Sequence, residues 1–283
     1  MTRFDPLFVN PELEELLARY FDAARLDDPQ ERDRVVAELT EEYGSEIAES
    51  LLVTGPYVLH GVRRIRAGFR SRIQDVWGEA IDLFEFAWLA TVETGQIFNQ
   101  EMQEAGHLTY APFEALRRTH ARACLVASEV RALIEDGYPE GAWARWRTLH
   151  ELSVVAWTIG DAGEEIAERY LDHAVCEALR DLTTAPHDPA VGGAEEARLR
   201  METQELLARH GEGFNEDWGW ARPLFGHRVT FRMLEERIER LALSRPHYRE
   251  SSHYVHGGAG GAARSMIESV AAWSSAWGRR TAS

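Results

Sequence analysis

The sequence predicts an all-α protein, a multi-helix bundle preceded by an N-terminal helical extension. Apolar residues recur at spacings of three and four along nearly the whole chain, and no segment shows the period-two alternation of a half-buried strand. Proline and glycine stand mostly between these periodic runs, where helices start and stop. No internal repeat is present.

The elements follow in order. Pro11 to Arg25 and Pro29 to Tyr43 each open on a first-turn proline and read as two short amphipathic helices. Tyr57 to Arg72 keeps the helical period but turns basic. From about Ile73 to Gly106 the pattern is one long helix, and its Trp77, Leu83, Phe84, Phe86, Trp88 and Leu89 predict a course through the core. Thr109 is the expected cap of the next helix, which ends at Gly137. Gly141 to Ile159 is apolar on most faces and should be central, closed by Gly160-Asp161-Ala162-Gly163. Glu164 to Leu182 is its partner. Thr183 to Gly193 reads as a loop from its proline and glycine, and Ala194 to His210 as a polar helix. Gly211 to Gly226 is irregular yet carries Phe214, Trp218, Trp220 and Phe225, which predicts an ordered, packed loop. Val229 to Leu243, Pro246 to His256 and Ala262 to Trp277 complete the set, with glycines at 257, 258, 260 and 261 between the last two. The division expected is an extension over 1–72 and a bundle over 73–283.

Composition limits the chemistry. A chain of 283 residues, 45% apolar and 28% charged, can bury a large core. All 31 basic residues are arginine, which removes lysine Schiff-base chemistry and the P-loop lysine. The formal charge of −16 opposes non-specific binding to nucleic acid or anionic membrane, so any RNA contact must be local. The longest apolar run, Leu152 to Ile159, is far too short to span a bilayer, and the first residues lack the apolar core of a signal peptide. The expectation is a cytoplasmic protein without membrane contact. Cys124 and Cys176 lie in helical patterns without metal-ligand spacing and read as small buried hydrophobes. No metal and no cofactor is expected. Glu104 and His107 have the Glu-x-x-His spacing of di-iron bundles, but the motif is single and interrupted by Gly106.

Three clusters could carry function. In Arg245 to His256, a helix would set Tyr248, Ser252, His256, Arg249 and His253 at about 0°, 40°, 80°, 100° and 140° around its axis. Arg249 and His256 then differ by about 20° in direction and roughly 10 Å along the axis, a span that one nucleotide phosphate could bridge. Histidine and arginine suffice for metal-independent RNA cleavage: imidazole takes the proton of the ribose 2′-hydroxyl, and guanidinium stabilises the phosphate charge. Tyr248 or Ser252 would orient or assist. The alternative is a set of satisfied polar groups bonded across a helix interface, with Arg249 in a salt bridge. Arg147 and Glu151, one turn apart, can face the same partner. They form either a clamp to another helix or the lining of a polar pocket. Arg63, Arg64, Arg66, Arg70 and Arg72 make the one dense basic cluster, readable as a phosphate-backbone surface or as a solvated face paired with acidic neighbours.

Three segments resemble the bacterial proteins called domain of unknown function 5677. They are Trp146-Arg147-Thr148-Leu149-His150-Glu151-Leu152, Ile166-Ala167-Glu168-Arg169-Tyr170-Leu171-Asp172-His173, and Tyr248-Arg249-Glu250-Ser251-Ser252-His253-Tyr254-Val255-His256. The resemblance covers about Trp77 to Trp277. It matches the family's arginine-to-glutamate turn to Arg147 and Glu151, and its tyrosine, serine and histidine to Tyr248, Ser252 and His256. That body looks like the HEPN group, whose ribonucleases carry an arginine and a histidine four to six residues apart and usually pair two such helices across a dimer. Arg249 and His256 are six apart, and Glu250, next to the arginine, points about 100° away. The resemblance therefore implies an HEPN-like homodimer acting on RNA as a toxin or phage-defence effector, with Arg147 and Glu151 in support. Its alternative is a non-catalytic binding or scaffold protein. The extension over 1–72 would serve a protein partner in either case.

Overall fold

A computed structural model describes residues 11–184 and 189–255, and among them every regular element is helical. The helices are α1 (Pro11–Ala23), α2 (Pro29–Glu104), α3 (Ala111–Glu135), α4 (Pro139–Ala162), α5 (Glu164–Thr184), α6 (Pro189–His210), α7 (Phe231–Glu236) and α8 (Arg245–Val255). Short 3₁₀ turns occupy Glu212–Asn215, Gly219–Leu224 and Glu239–Ser244. The chain divides into two compact units between Val76 and Trp77. None of the described helices is long and apolar enough to cross a membrane.

In the first unit, Asp28 accepts a hydrogen bond from the Gln30 amide at 3.0 Å and so caps α2, with Pro29 in its first turn. Arg19 of α1 reaches Tyr43 at 2.5 Å and Glu42 at 3.4 Å, and Tyr20 bonds to Thr40. Ala23 and Leu39 are buried between these bonds. Sequence periodicity suggests separate helices here, whereas α2 runs on through Pro56. A proline inside a helix forfeits one backbone hydrogen bond, that to the carbonyl four residues earlier. That residue is Leu52, which is exposed, so water can take the freed carbonyl. Arg63, Arg64, Arg66 and Arg70 are all exposed along this part of α2.

The second unit begins with the remainder of α2. Trp88 donates its indole N–H to the Cys124 carbonyl at 2.9 Å, His120 donates to the Thr91 carbonyl at 3.1 Å, and Arg131 pairs with Glu85 at 2.7 Å. A Cβ at Gly95 would lie 2.2 Å from the His120 ring, so glycine sets this approach of α2 to α3. Here the structure corrects the expectation of a core helix: Trp77, Leu83, Phe86 and Leu89 are exposed, and Phe84 and Trp88 are only half-buried. A hydrophobic count does not reveal how many faces of a helix find a neighbour.

The core lies instead among α3, α4, α5, α6 and the segment after α6. Val154 and Ile159 of α4, Ile166, Ala167 and Cys176 of α5, Leu206 of α6, and Phe214, Trp220 and Leu234 pack in one cluster. The central course of α4 thus agrees with its sequence. Pro139 opens that helix and Gly163, at φ 81°, closes it. Tyr110, not Thr109, occupies the cap position of α3 and makes no side-chain cap bond. Gly137, at φ 81°, follows that helix as expected. The loop expected over 183–193 is shorter, because α5 continues to Thr184 and α6 starts at Pro189. The single helix expected over Val229 to Leu243 is broken: α7 anchors Leu234 and Glu235 in the interior, and the chain then tightens into 3₁₀ before α8. Cys176 is buried and Cys124 half-buried; burial pushes both thiols above their ordinary pKa. His256 and the helix expected over Ala262 to Trp277 lie outside the described residues.

The aromatic segment from Gly211 to Gly226 is ordered by a buried cation. Arg169 of α5 donates to the Trp220 carbonyl at 3.0 Å, the Gly219 carbonyl at 3.2 Å and His210 Nδ1 at 2.9 Å, with its guanidinium 5.1 Å from the Phe214 ring centre. Burial lowers the pKa of this arginine, against the opposing fields of Glu165 and Asp172. His210 passes the chain of bonds to Asp172 at 3.0 Å. Gly219 sits so tightly that a Cβ would lie 2.2 Å from the Phe214 carbonyl oxygen and 2.6 Å from that of Gly213. Backbone cannot swing aside as a side chain can, so Gly219→Ala should destabilise the fold by about 1–3 kcal/mol. Chemical denaturation checks this, and an unchanged midpoint would contradict the packing.

Candidate functional site

The polar centre of the second unit forms where α8 lies on α4. Arg147 and Glu151 stand one turn apart on α4, and Tyr248 and Ser252 one turn apart on α8. Arg147 donates from Nε to Glu151 Oε1 at 3.1 Å, from Nη1 to Ser252 Oγ at 3.0 Å and from Nη2 to the Tyr248 hydroxyl at 3.0 Å. Tyr248 in turn donates to Glu151 Oε1 at 2.7 Å, which closes a ring of bonds. The guanidinium also lies 4.8 Å from the Tyr248 ring centre, within cation–π range. Ser252 gives its own proton to the Tyr248 carbonyl at 3.2 Å, which leaves its oxygen lone pairs for Arg147.

Electrostatics follow this geometry. Burial pulls the Arg147 pKa down, but the bonds and charges of Glu151 and Tyr248 outweigh it and leave the guanidinium above its ordinary value. Burial first, and then the bond it gives to Glu151, push the Tyr248 phenol well above its ordinary 10. Tyr248 at neutral pH is therefore a neutral donor, unsuited to act as a base.

A second, drier layer lies beneath. His150 and Glu235 are almost fully buried, with His150 Nε2 2.9 Å from Glu235 Oε1, and Arg245 at the start of α8 pairs with the other oxygen of Glu235. The His150 ring stacks on Trp146 at 5.5 Å and meets Tyr248 at 5.2 Å. Phe231 of α7 packs on Tyr248 at 5.0 Å and Trp218 on Phe231 at 5.4 Å. The paired carboxylate thus ties α7 to α4 and to the first turn of α8.

Four of the residues singled out in the sequence, Arg147, Glu151, Tyr248 and Ser252, meet in this network. Arg249 and His253 do not. Both are exposed on the outer side of α8, where Arg249 makes no hydrogen bond or ion pair among the described residues. The face that helical geometry draws around all of them is split: Tyr248, Ser251 and Ser252 turn inward and Arg249 and His253 outward. His256 lies outside the described residues. The basic cluster at Arg63, Arg64, Arg66 and Arg70 belongs to the other unit. Sequence reasoning missed Glu235, Arg245 and the ring of bonds around Arg169. A signal for the last was present, since Arg169 stands one turn from the apolar Ile166 and one turn from Asp172 and His173, which puts a cation on the inward side of an amphipathic helix.

An all-helical protein whose last described helix is held by an Arg–Glu–Tyr–Ser ring is the class that fold and site define. Residues 113–270 match the family described as Family of unknown function (DUF5677). This chain belongs to that family. The match starts at the first turn of α3 and takes in the ring around Arg147 and the bonds around Arg169. No curated protein matches the chain, and no solved structure does.

Two predictions test the network. The side chains of Arg147 and Glu151 are 22% and 32% exposed, so their pairing lies between a surface and a buried bridge. A double-mutant cycle of Arg147→Ala with Tyr248→Phe should give a coupling of about 0.5–3 kcal/mol in urea denaturation, and additive losses would dissolve the ring. The second concerns pH. A phenol pKa raised by folding contributes stability that is complete below the unfolded value near 10 and is lost as pH rises through the folded one. Stability should fall more steeply above pH 10 in the parent than in Tyr248→Phe; parallel curves would contradict the raised phenol.

Proposed function

We propose that this protein is HEPN-like and acts on RNA from the outer side of α8, as a metal-independent endoribonuclease of the toxin or phage-defence kind. The observation that supports this reading is Arg249, an exposed guanidinium with no carboxylate bound to it among the described residues. In an acidic protein, such a cation keeps its donors for a ligand, and its planar fork suits phosphate. His256 follows seven positions later, two helical turns on, at a direction within about 20° of Arg249 by helical spacing.

In the proposed reaction His256 takes the proton from a ribose 2′-hydroxyl. The resulting alkoxide attacks the adjacent phosphorus, the bond to the 5′-oxygen of the next nucleotide breaks, and that oxygen takes a proton from water while the imidazolium returns its own to solvent. A 2′,3′-cyclic phosphate and a 5′-hydroxyl end are the products. Arg249 stabilises the charge that builds on the phosphoryl oxygens. Tyr248, Ser252, Arg147 and Glu151 are positioning residues in this scheme, since they hold α8 and spend their bonds on one another. Pairing of two α8 helices in a homodimer would bring two arginines and two histidines to one RNA, while the first unit serves a partner.

A second reading draws on the same network. Arg147, Glu151, Tyr248 and Ser252 satisfy one another, which is how a brace in a non-catalytic binding or scaffold protein would behave. One experiment separates the two. Full-length protein is incubated with a labelled RNA in the presence of EDTA and the product ends are analysed. The nuclease reading expects cleavage to cyclic-phosphate ends, at least about 100-fold slower in His256→Ala and in Arg249→Ala, the loss expected on removing a general base or a charge stabiliser. Arg249→Ala should keep the parent melting temperature, because that side chain is exposed. Undiminished cleavage in His256→Ala would reject the nuclease mechanism, and no cleavage by the parent at any protein concentration would reject it in favour of the scaffold.

A further inference from the structure

Glu151 faces two ways. Besides belonging to the ring with Arg147, it lines a cavity of about 300 Å³ in the second unit, bounded by α3, α4, α5 and the aromatic segment after α6. Tyr170, Trp218 and Trp220 supply aromatic wall, and Glu151 and Glu177 supply carboxylates. Both bonds that Glu151 accepts from Arg147 and Tyr248 fall on Oε1, so acceptor capacity remains at its second oxygen. Glu177, on the outer part of α5, is 3.3 Å from His173 Nδ1. Arg118 also borders the cavity, but it is engaged by Glu114 at 2.6 Å.

The backbone at this cavity is unusual as well. Trp218 is the single non-glycine residue with positive φ among those described, at 60°. Such a conformation is unfavourable for a bulky residue and persists only where its surroundings hold it. Here Phe231 and Trp220 pack against the indole, at 5.4 Å and 6.5 Å between ring centres. The strained residue is thus one that walls the cavity.

We propose that this cavity is a binding site for a small organic cation, an ammonium-bearing molecule with a compact apolar body. Aromatic faces attract a cation through their quadrupoles, and the carboxylates attract and hydrogen-bond the same charge. An anion would meet the two carboxylates instead, with the nearby Arg118 and Arg147 already paired, to Glu114 and to Glu151. The net charge of −16 raises the local concentration of cations around the protein as a whole. A volume of about 300 Å³ is at the small end of ligand pockets and suits a molecule the size of benzylamine. This assignment does not depend on whether the protein cleaves RNA. It does place a ligand on Glu151, the carboxylate that Arg147 and Tyr248 share.

The test is a calorimetric titration of the full chain at pH 7 with benzylamine, which is then an ammonium ion, and with benzyl alcohol as its neutral counterpart. Saturable one-to-one binding of the amine is expected, with the alcohol at least about tenfold weaker, as the loss of the charge contacts to carboxylate and aromatic wall predicts. Glu177→Gln, a nearly isosteric change at an exposed side chain, should weaken the amine several-fold and leave the melting temperature unchanged. Trp218→Gly relieves the positive φ and removes the indole, so it should weaken binding further while the chain stays folded by circular dichroism. Three outcomes would overturn the proposal: no saturable binding, equal affinity for amine and alcohol, or amine binding indifferent to both substitutions.

Discussion

The guanidinium of Arg147 is too deeply placed to go unpaired, and three other side chains are arranged around that requirement. Glu151 balances its charge from one turn along the same helix. Tyr248 and Ser252 reach it from a helix about one hundred residues later in the chain. Each partner also bonds to another member of the set, so that removing one disturbs the rest. Such a ring does more to select one arrangement than to add stability, because a half-buried charge costs solvation that its bonds only partly return. Only one rotation of α8 about its axis turns Tyr248 and Ser252 to Arg147 together. That rotation also sends Arg249 and His253 to the outside. The exposed arginine and the satisfied one are thus consequences of the same placement.

The layer below repeats the logic with less water. Glu235 is a buried carboxylate that accepts from His150 and pairs with Arg245, so the two ends of the segment from α7 to α8 close on one acid. Arg169 does the same for the aromatic segment before α7, replacing the regular backbone bonds that this stretch lacks by bonds to the Gly219 and Trp220 carbonyls. These two arrangements explain how an irregular connection rich in aromatics can be part of a core. They also bring Trp218 and Glu151 into the lining of one cavity. Helices supply the frame, but buried charges decide where the non-helical chain lies.

Much of this architecture is written locally. First-turn prolines at 29 and 139 and glycines at 137 and 163 sit at helix ends, where fixed φ or positive φ is needed. The period of α4 and α5 foretells their burial. Where sequence reading fails, local and distant effects compete. Pro56 does not stop α2, because an exposed helix can leave one carbonyl to water. The apolar residues from Trp77 to Leu89 suggest a core helix, yet only a single side of it meets α3. The run from Val229 to Leu243 has helical composition, yet α7 ends at Glu236, just after Glu235 meets His150, and the chain goes on as a 3₁₀ turn. For the site, the pairing of Arg147 with Glu151 is legible as an i to i+4 spacing, and the alignment of Tyr248 with Ser252 likewise. Their meeting is not, since spacing within each helix is silent about the distance between helices.

Sequence alone therefore determined the all-helical class, several helix ends, the membership of α4 and α5 in the core, and the one-turn pairing of Arg147 with Glu151 and of Tyr248 with Ser252. Those properties arise from interactions within a few residues of one another. Tertiary structure alone decided that α2 would keep an apolar side exposed, that Glu235 would join His150 to Arg245, and that α8 would divide its polar residues between Arg147 and solvent. Each of these turns on the packing of elements far apart in the chain, where a buried charge accepts only the partner that reaches it.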